Sequence, residues 1–285
     1  MSLGLVLSGG GVRGGAHIGV LKALHEAQIK PMFISGTSAG SIVAGLYAYG
    51  YTPEEIQIIA RRLSRRSFDV DYQGVFSSLL NIFFSGQPST SGLIRGNYLE
   101  RYFYKLTKGI KLKNLKMPLA ITAVDINNTD IVIFTSLPTC FLCRNDYVFI
   151  HDATLAEAIR ASIAIPGIFQ PKILKKMRLV DGGVRANLPV EITRMMGARK
   201  VIAVNLSYNG NPVPGVDDIL EISLQAIDLM IYQITRPSIQ SADIIISPEI
   251  NYVHQGDISK IDYIVKCGYK ATVELLPRIK QLLYN

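Results

Sequence analysis

Cysteine is scarce in this chain of 285 residues, and it comes in an odd number: Cys140, Cys143 and Cys267. Three thiols make no disulfide framework of the kind that holds small secreted domains together. Cys140 and Cys143 form a Cys-x-x-Cys with no second pair, which fits ordinary thiols better than a metal or redox centre. Long apolar runs are also missing. The longest stretches run about ten residues, as at 75–84, whereas a membrane-spanning helix needs roughly 20. The first residues, MSLGLVL, carry no positive leader and no cleavage signature, so they read as a strand. Cytoplasmic residence is the expectation. Charged residues make up only 18% and hydrophobic ones 48%, which excludes a disordered chain and fits one sizeable core.

Acidic residues are outnumbered, and the net charge is +8. Basic clusters lie at Arg61, Arg62, Arg65 and Arg66, at 105–116 and at 172–178. Such a balance favours anionic surfaces, with a solvated basic face as the ordinary alternative for any single cluster. No nucleic-acid module accompanies it, so nucleic acid is not expected as a partner. Transient contact with an anionic membrane surface, with the protein peripheral to it, is expected. The segment VFSSLLNIFF at 75–84 is the candidate lid or interface, with packing on the core as the equal alternative.

What is present is a regular alternation. The apolar run at 3–7 ends in glycines, a helical spacing follows through Ala16, Val20 and Leu24, and a second short strand at 32–35 runs into a small-residue helix. Thr52-Pro53-Glu54-Glu55 and Thr154 to Glu157 are helix-starting boxes. Strands are expected at 119–126 and 131–135 as a hairpin, at 179–180, at 200–206 and at 243–246. Helices are expected from Pro189 to Gly197, at 218–235 and at the C-terminus. This pattern predicts an α/β fold with a mainly parallel central sheet and helices on both faces. No linker or repeat interrupts it. A single domain over 1–285 is expected, its motif-bearing core at about 3–205 and C-terminal helices at about 216–285 packed on it.

Three motifs carry chemistry. Gly36-Thr37-Ser38-Ala39-Gly40 is a G-x-S-x-G between a strand and a helix, a sharp turn that lifts a serine hydroxyl clear of the backbone. Gly36 and Gly40 let strand and helix approach, and the helix N-terminus favours developing negative charge. Gly9-Gly10-Gly11-Val12-Arg13-Gly14 leaves backbone N–H groups uncovered, as an oxyanion hole requires. It also satisfies G-x-G-x-x-G, but the second strand runs into Ser38 and offers no carboxylate for a ribose, and no Gly-Lys-Ser/Thr follows. Asp181-Gly182-Gly183 follows a short strand, where an aspartate can meet a nucleophile on a neighbouring strand. A turn aspartate is the alternative there.

Histidine is the usual partner of such a serine, and the chain holds four: His17, His25, His151 and His254. The order Ser38, Asp181, His254 is that of a hydrolase triad. Against it, the elbow comes after one strand–helix unit, and His254 has no glycine-rich loop around it.

Taken in order, GGGVRG at 9–14, GTSAG at 36–40, ASIAIPGIF at 161–169 and DGGVRANLP at 181–189 resemble the blocks of the patatin-like phospholipases, over roughly residues 3–205. The resemblance implies a patatin-like three-layer sandwich and a serine–aspartate dyad. Ser38 would attack an ester carbonyl of a phospholipid or other acyl-ester lipid, and Asp181 would take its proton and later activate water. The N–H groups of Gly10 and Gly11, with Gly9 or Arg13, would hold the oxyanion. Ala39 N–H is a further donor by analogy with other serine elbows. Thr37 and Ala39 complete the elbow, Gly182 and Gly183 the base motif, and no metal or organic cofactor is required. Burial beside an acyl channel is expected to raise the Asp181 pKa. Acyl transfer or thioester hydrolysis by the same dyad, and a non-catalytic nucleotide or phosphate binder using residues 9–14, are the alternatives.

Overall fold

The computed structural model describes residues 2–63, 91–138, 146–207, 219–251, 253 and 258–284. The segment 75–84, Cys140, Cys143, Arg65, Arg66 and His254 lie outside the described residues.

Strand β1 (Leu3–Leu7) is buried along its whole length. It lies between β2 (Phe33–Thr37) and β10 (Lys200–Val204) and is parallel to both. A strand covered on both faces needs an unbroken apolar run, and LGLVL supplies it. The sheet continues outward from β10 to β11 (Ile244–Ile246), and from β2 to β4 (Leu119–Asp125), both parallel. β5 (Ile131–Thr135) closes the expected hairpin antiparallel to β4, and β6 (Tyr147–Ile150) adds a parallel edge. The sheet is thus mixed and mostly parallel, as expected. The edge strand β6 was not read in the sequence, because its half-buried YVFI has neither alternation nor a long apolar run.

Side-chain alternation divides the core into two layers. Leu5, Leu7, Ile202 and Val204 pack into one cluster with Ile18, Leu21 and Leu24 of α1 (Gly15–Glu26) and Val43 and Leu46 of α2 (Ala39–Tyr49). Val6, Val201 and Ala203 face the other way, toward Leu188 and Val190. Three layers result, helix on sheet on helix. On the first face, both predicted capping boxes form. Thr52 and Glu55 start α3 (Pro53–Arg62), and Thr154 and Glu157 start α5 (Leu155–Ser162). Between them, α4 (Asn97–Leu106) is entered through left-handed Gly96. On the second face lie the short helices α6 (Gly183–Ala186) and α7 (Val190–Met195), with α8 (Ile219–Ser241) against them. The sequence ended α8 before Pro237, but the helix runs through it. Arg194 holds its far end by donating to Ser241 O at 2.7 Å and to Asp243 at 3.0 Å. The C-terminal helix α9 (Ile261–Tyr284) packs along α1 on the first face. Among the described residues no helix is long and apolar enough to cross a membrane.

Three short strands not read in the sequence complete the chain. β3 (Gly92–Ile94) pairs with β7 (Gly167–Phe169) in a small separate ladder. β8 (Lys172–Leu174) forms a hairpin with β9 (Met177–Asp181). The basic cluster at 172–178 is therefore a hairpin, with Lys172 bonded to Glu100 at 2.7 Å.

Candidate active site

The site is made where two strands meet end to end. β5 occupies one edge of β4. On the opposite edge, β2 pairs with residues 119–122, and β9 pairs with residues 123–125 in the antiparallel sense. The carboxyl ends of β2 and β9 therefore point at each other. Thr37 sits opposite Thr122, and Asp181 opposite Ala123, one residue further on. The sequence expected Asp181 to flank the nucleophile from a neighbouring strand. Instead the two strands abut head-on along a shared partner.

At the end of β2 the chain turns sharply. Ser38 has φ 52° and ψ −125°, a conformation that side chains rarely adopt. A side chain at Gly36 would strike the Gly40 carbonyl, and one at Gly40 the Leu7 carbonyl, so the elbow closes only with glycine at both ends. The turn is pinned from all sides. Ser38 N–H donates to Ser162 Oγ at 2.9 Å, Ser41 Oγ donates to Ser38 O at 2.6 Å, and Thr37 Oγ1 donates to Ala186 O at 2.8 Å. The hydroxyls of Thr37 and Thr122 lie 2.6 Å apart and tie β2 to β4.

Ser38, 6% exposed, and Asp181, 5% exposed, wall the same small recess, and the Ser38 hydroxyl is among the groups that act on the Asp181 carboxylate. Gly183 N–H holds the same carboxylate at 2.7 Å. Burial raises the Asp181 pKa to about 6, against the opposing pull of the Ser38 hydroxyl and the Gly183 N–H. Two donors do not replace the hydration that the charged form loses in the interior.

The glycine loop runs beside Ser38 and is held by partners the sequence did not identify. Asn187 Oδ1 accepts from Gly9 N–H at 3.1 Å, while Asn187 Nδ2 donates to Ser207 Oγ at 2.7 Å. His17 Nε2 donates to Ser8 O at 2.8 Å, and burial lowers its pKa to about 4, so it is neutral. These bonds correct two of the expected oxyanion donors. Gly9 N–H is committed to Asn187, and Arg13 N–H closes a turn onto Gly10 O at 3.1 Å. The Arg13 guanidinium points instead to Asp228, 3.9 Å away. The N–H groups of Gly10 and Gly11 have no partner among the described residues, and Ala39 N–H opens α2 where no helical acceptor exists. The signal for Asn187 was its place in DGGVRANLP. Ser162 gave none beyond its place in ASIAIPGIF.

No described histidine serves Ser38. His17 leaves its Nδ1 without a partner, His25 is exposed, and His151 Nδ1 lies 3.2 Å from Thr135 O. No cluster among the described residues could hold a metal ion.

Two recesses meet at Ser38. One is a cavity of about 440 Å³ with apolar walls that include Leu46, Ile59, Leu63, Leu99, Phe103 and Phe169. The other is smaller and more polar, bounded by Gly10, Arg13, Asp181, Asn187 and Asp228. A long apolar chain fits the first, and a polar group the second.

Fold and site together define the class: a three-layer α/β protein with a serine on a strand–helix elbow facing a buried aspartate. The profile of the patatin-like phospholipases matches residues 5–194, and the chain belongs to that family. The mouse patatin-like phospholipase domain-containing protein 6 is 30% identical over 207 residues, 72% of this chain but 13% of its own length. Lysophospholipase NTE1 of Mycosarcoma maydis is 31% identical over 206 residues, 72% of this chain and 10% of its own. The chain thus spans about an eighth or less of the length of these curated relatives. Its fold matches VipD from Legionella pneumophila at TM-score 0.55 and 15% identity, covering 97% of this chain and 67% of that one. It also matches the ExoU–SpcU complex of Pseudomonas aeruginosa at TM-score 0.52 and 18% identity, covering 97% and 51%.

Proposed function

We propose that this chain hydrolyses acyl esters of phospholipids or lysophospholipids through an acyl-enzyme on Ser38, with Asp181 as the base. The observation that carries the reading is a strained, glycine-framed serine that shares one recess with a buried carboxylate and also walls an apolar cavity. Membership of the patatin-like phospholipases, with a relative named lysophospholipase, supports the substrate class.

The acyl chain lies in the apolar cavity and the glycerol side in the polar recess. Asp181 accepts the hydroxyl proton as Ser38 Oγ bonds to the ester carbonyl carbon. The carbonyl oxygen becomes an oxyanion and accepts hydrogen bonds from Gly10 and Gly11, with Ala39 in reach from the elbow. Collapse breaks the bond to the alcohol, which takes the proton back from Asp181. Asp181 then removes a proton from water, the resulting hydroxide attacks the acyl-enzyme, and Ser38 leaves with that proton. A base with a pKa near 6 is largely ionised at pH 7 yet stronger than a solvated carboxylate, which suits both steps. The test is fatty-acid release from lysophosphatidylcholine. Turnover by the native chain, lost by about 10³-fold or more in Ser38→Ala, is expected. Retained turnover in that variant would refute the assignment.

A further inference from the structure

Helix α8 has two unlike faces. Leu224, Ile227, Asp228 and Ile231 turn inward and wall the polar recess beside Ser38. Ile222, Leu229, Met230 and Ile234 turn outward and are 53%, 46%, 57% and 39% exposed. Their spacing places them on one stripe of the helix, with exposed Ala226 between. From Ile222 to Thr235 the sole charge in the sequence is Asp228, and it lies inside, beside Arg13. The outer stripe is therefore uncharged until exposed Arg236 at its end.

We infer that the outer face of α8 seats the protein on an anionic phospholipid bilayer. The inference rests on the lipid-hydrolase reading, because it explains how a bilayer lipid reaches Ser38. A helix lying in the headgroup boundary buries such a stripe, while its inner face already walls the recess that receives the substrate. A cation at the end of the stripe and a net charge of +8 complement anionic headgroups. The same net charge opposes the rival occupant, a second copy of this chain.

Co-sedimentation with vesicles of phosphatidylcholine and phosphatidylserine in equal amounts tests this, alongside pure phosphatidylcholine. Binding to the mixed vesicles above that to the neutral ones is expected. Leu229→Asp and Met230→Asp should each weaken it on the order of tenfold, the equivalent of removing one apolar side chain from the interface. Ile222→Ser should act in the same direction to a smaller degree. Hydrolysis of soluble p-nitrophenyl butyrate, circular dichroism and molecular mass in solution should stay as in the native chain. Native-like vesicle binding by both aspartate variants, or no binding by the native chain, overturns the inference. So does a native dimer that the variants split, because the face would then belong to a second copy. Failure of the native chain to cleave p-nitrophenyl butyrate would remove the hydrolase reading, and the vesicle measurement would still decide what α8 binds.

Discussion

Replacing Asp181 by asparagine should abolish turnover and yet stabilise the fold above pH 6. Burial moves this carboxyl from 3.8 to about 6, an interval of about two pH units, or roughly 3 kcal/mol at about 1.4 kcal/mol per unit. The sign follows from proton counting. Between 3.8 and about 6 the folded chain keeps the proton that the unfolded chain has released, so folding is favoured most at low pH. That contribution is lost as pH rises through about 6, and above it the full cost of burying the charge remains. Asparagine keeps an oxygen for Gly183 N–H and carries no charge, so Asp181→Asn lacks this loss. Thermal melts of both proteins from pH 4 to pH 8 measure it. The variant should gain on the native chain as pH rises, by roughly 6 °C in all at about 2 °C per kcal/mol for a chain of this length. The native pH–rate profile should show its acidic limb near pH 6, where the base ionises. Parallel melting curves at every pH, together with an acidic limb near 4, would show that burial does not dominate this group.

Other consequences follow from the same geometry. Ser38 holds a strained backbone, so Ser38→Gly should be more stable than Ser38→Ala by about 1 kcal/mol in denaturant titrations, with both inactive. Asn187→Ala leaves Gly9 N–H buried without its side-chain acceptor. A loss of about 1–3 kcal/mol is expected, with kcat lowered about 10²-fold as the loop shifts and KM little changed. Ile59→Phe fills part of the apolar cavity and should lower the preference for palmitoyl over butyryl p-nitrophenyl esters by about tenfold or more, since each displaced methylene loses about 0.8 kcal/mol.

The sheet core was legible because its strands obey simple rules. LGLVL and KVIAV are buried on both faces and read as continuous apolar runs, and the two threonine–glutamate boxes start the helices they announce. Elements held by tertiary partners were less legible. β6 and the three-residue strands β3, β7 and β8 are too short or too exposed to show a period, and α8 continues past Pro237 to an end that Arg194 bonds. The same division runs through the site. The elbow is local, so Gly36 to Gly40 displayed it. The meeting of Asp181 with Ser38 depends on β9 running antiparallel into the end of β2, a relation no local pattern encodes. The choice among loop donors depended on Asn187, far along the chain, which takes Gly9 out of the set. An exposed apolar stripe on α8 was also present in the sequence, but only its burial pattern separates it from an ordinary core-facing helix.

Intact-mass and peptide mapping after treatment with a long-chain alkyl fluorophosphonate identifies the nucleophile and its dependence on the carboxylate. One adduct is predicted, on Ser38, absent in Ser38→Ala and formed far more slowly in Asp181→Asn. An adduct on another residue, or equal labelling with and without the Asp181 carboxylate, would contradict the account.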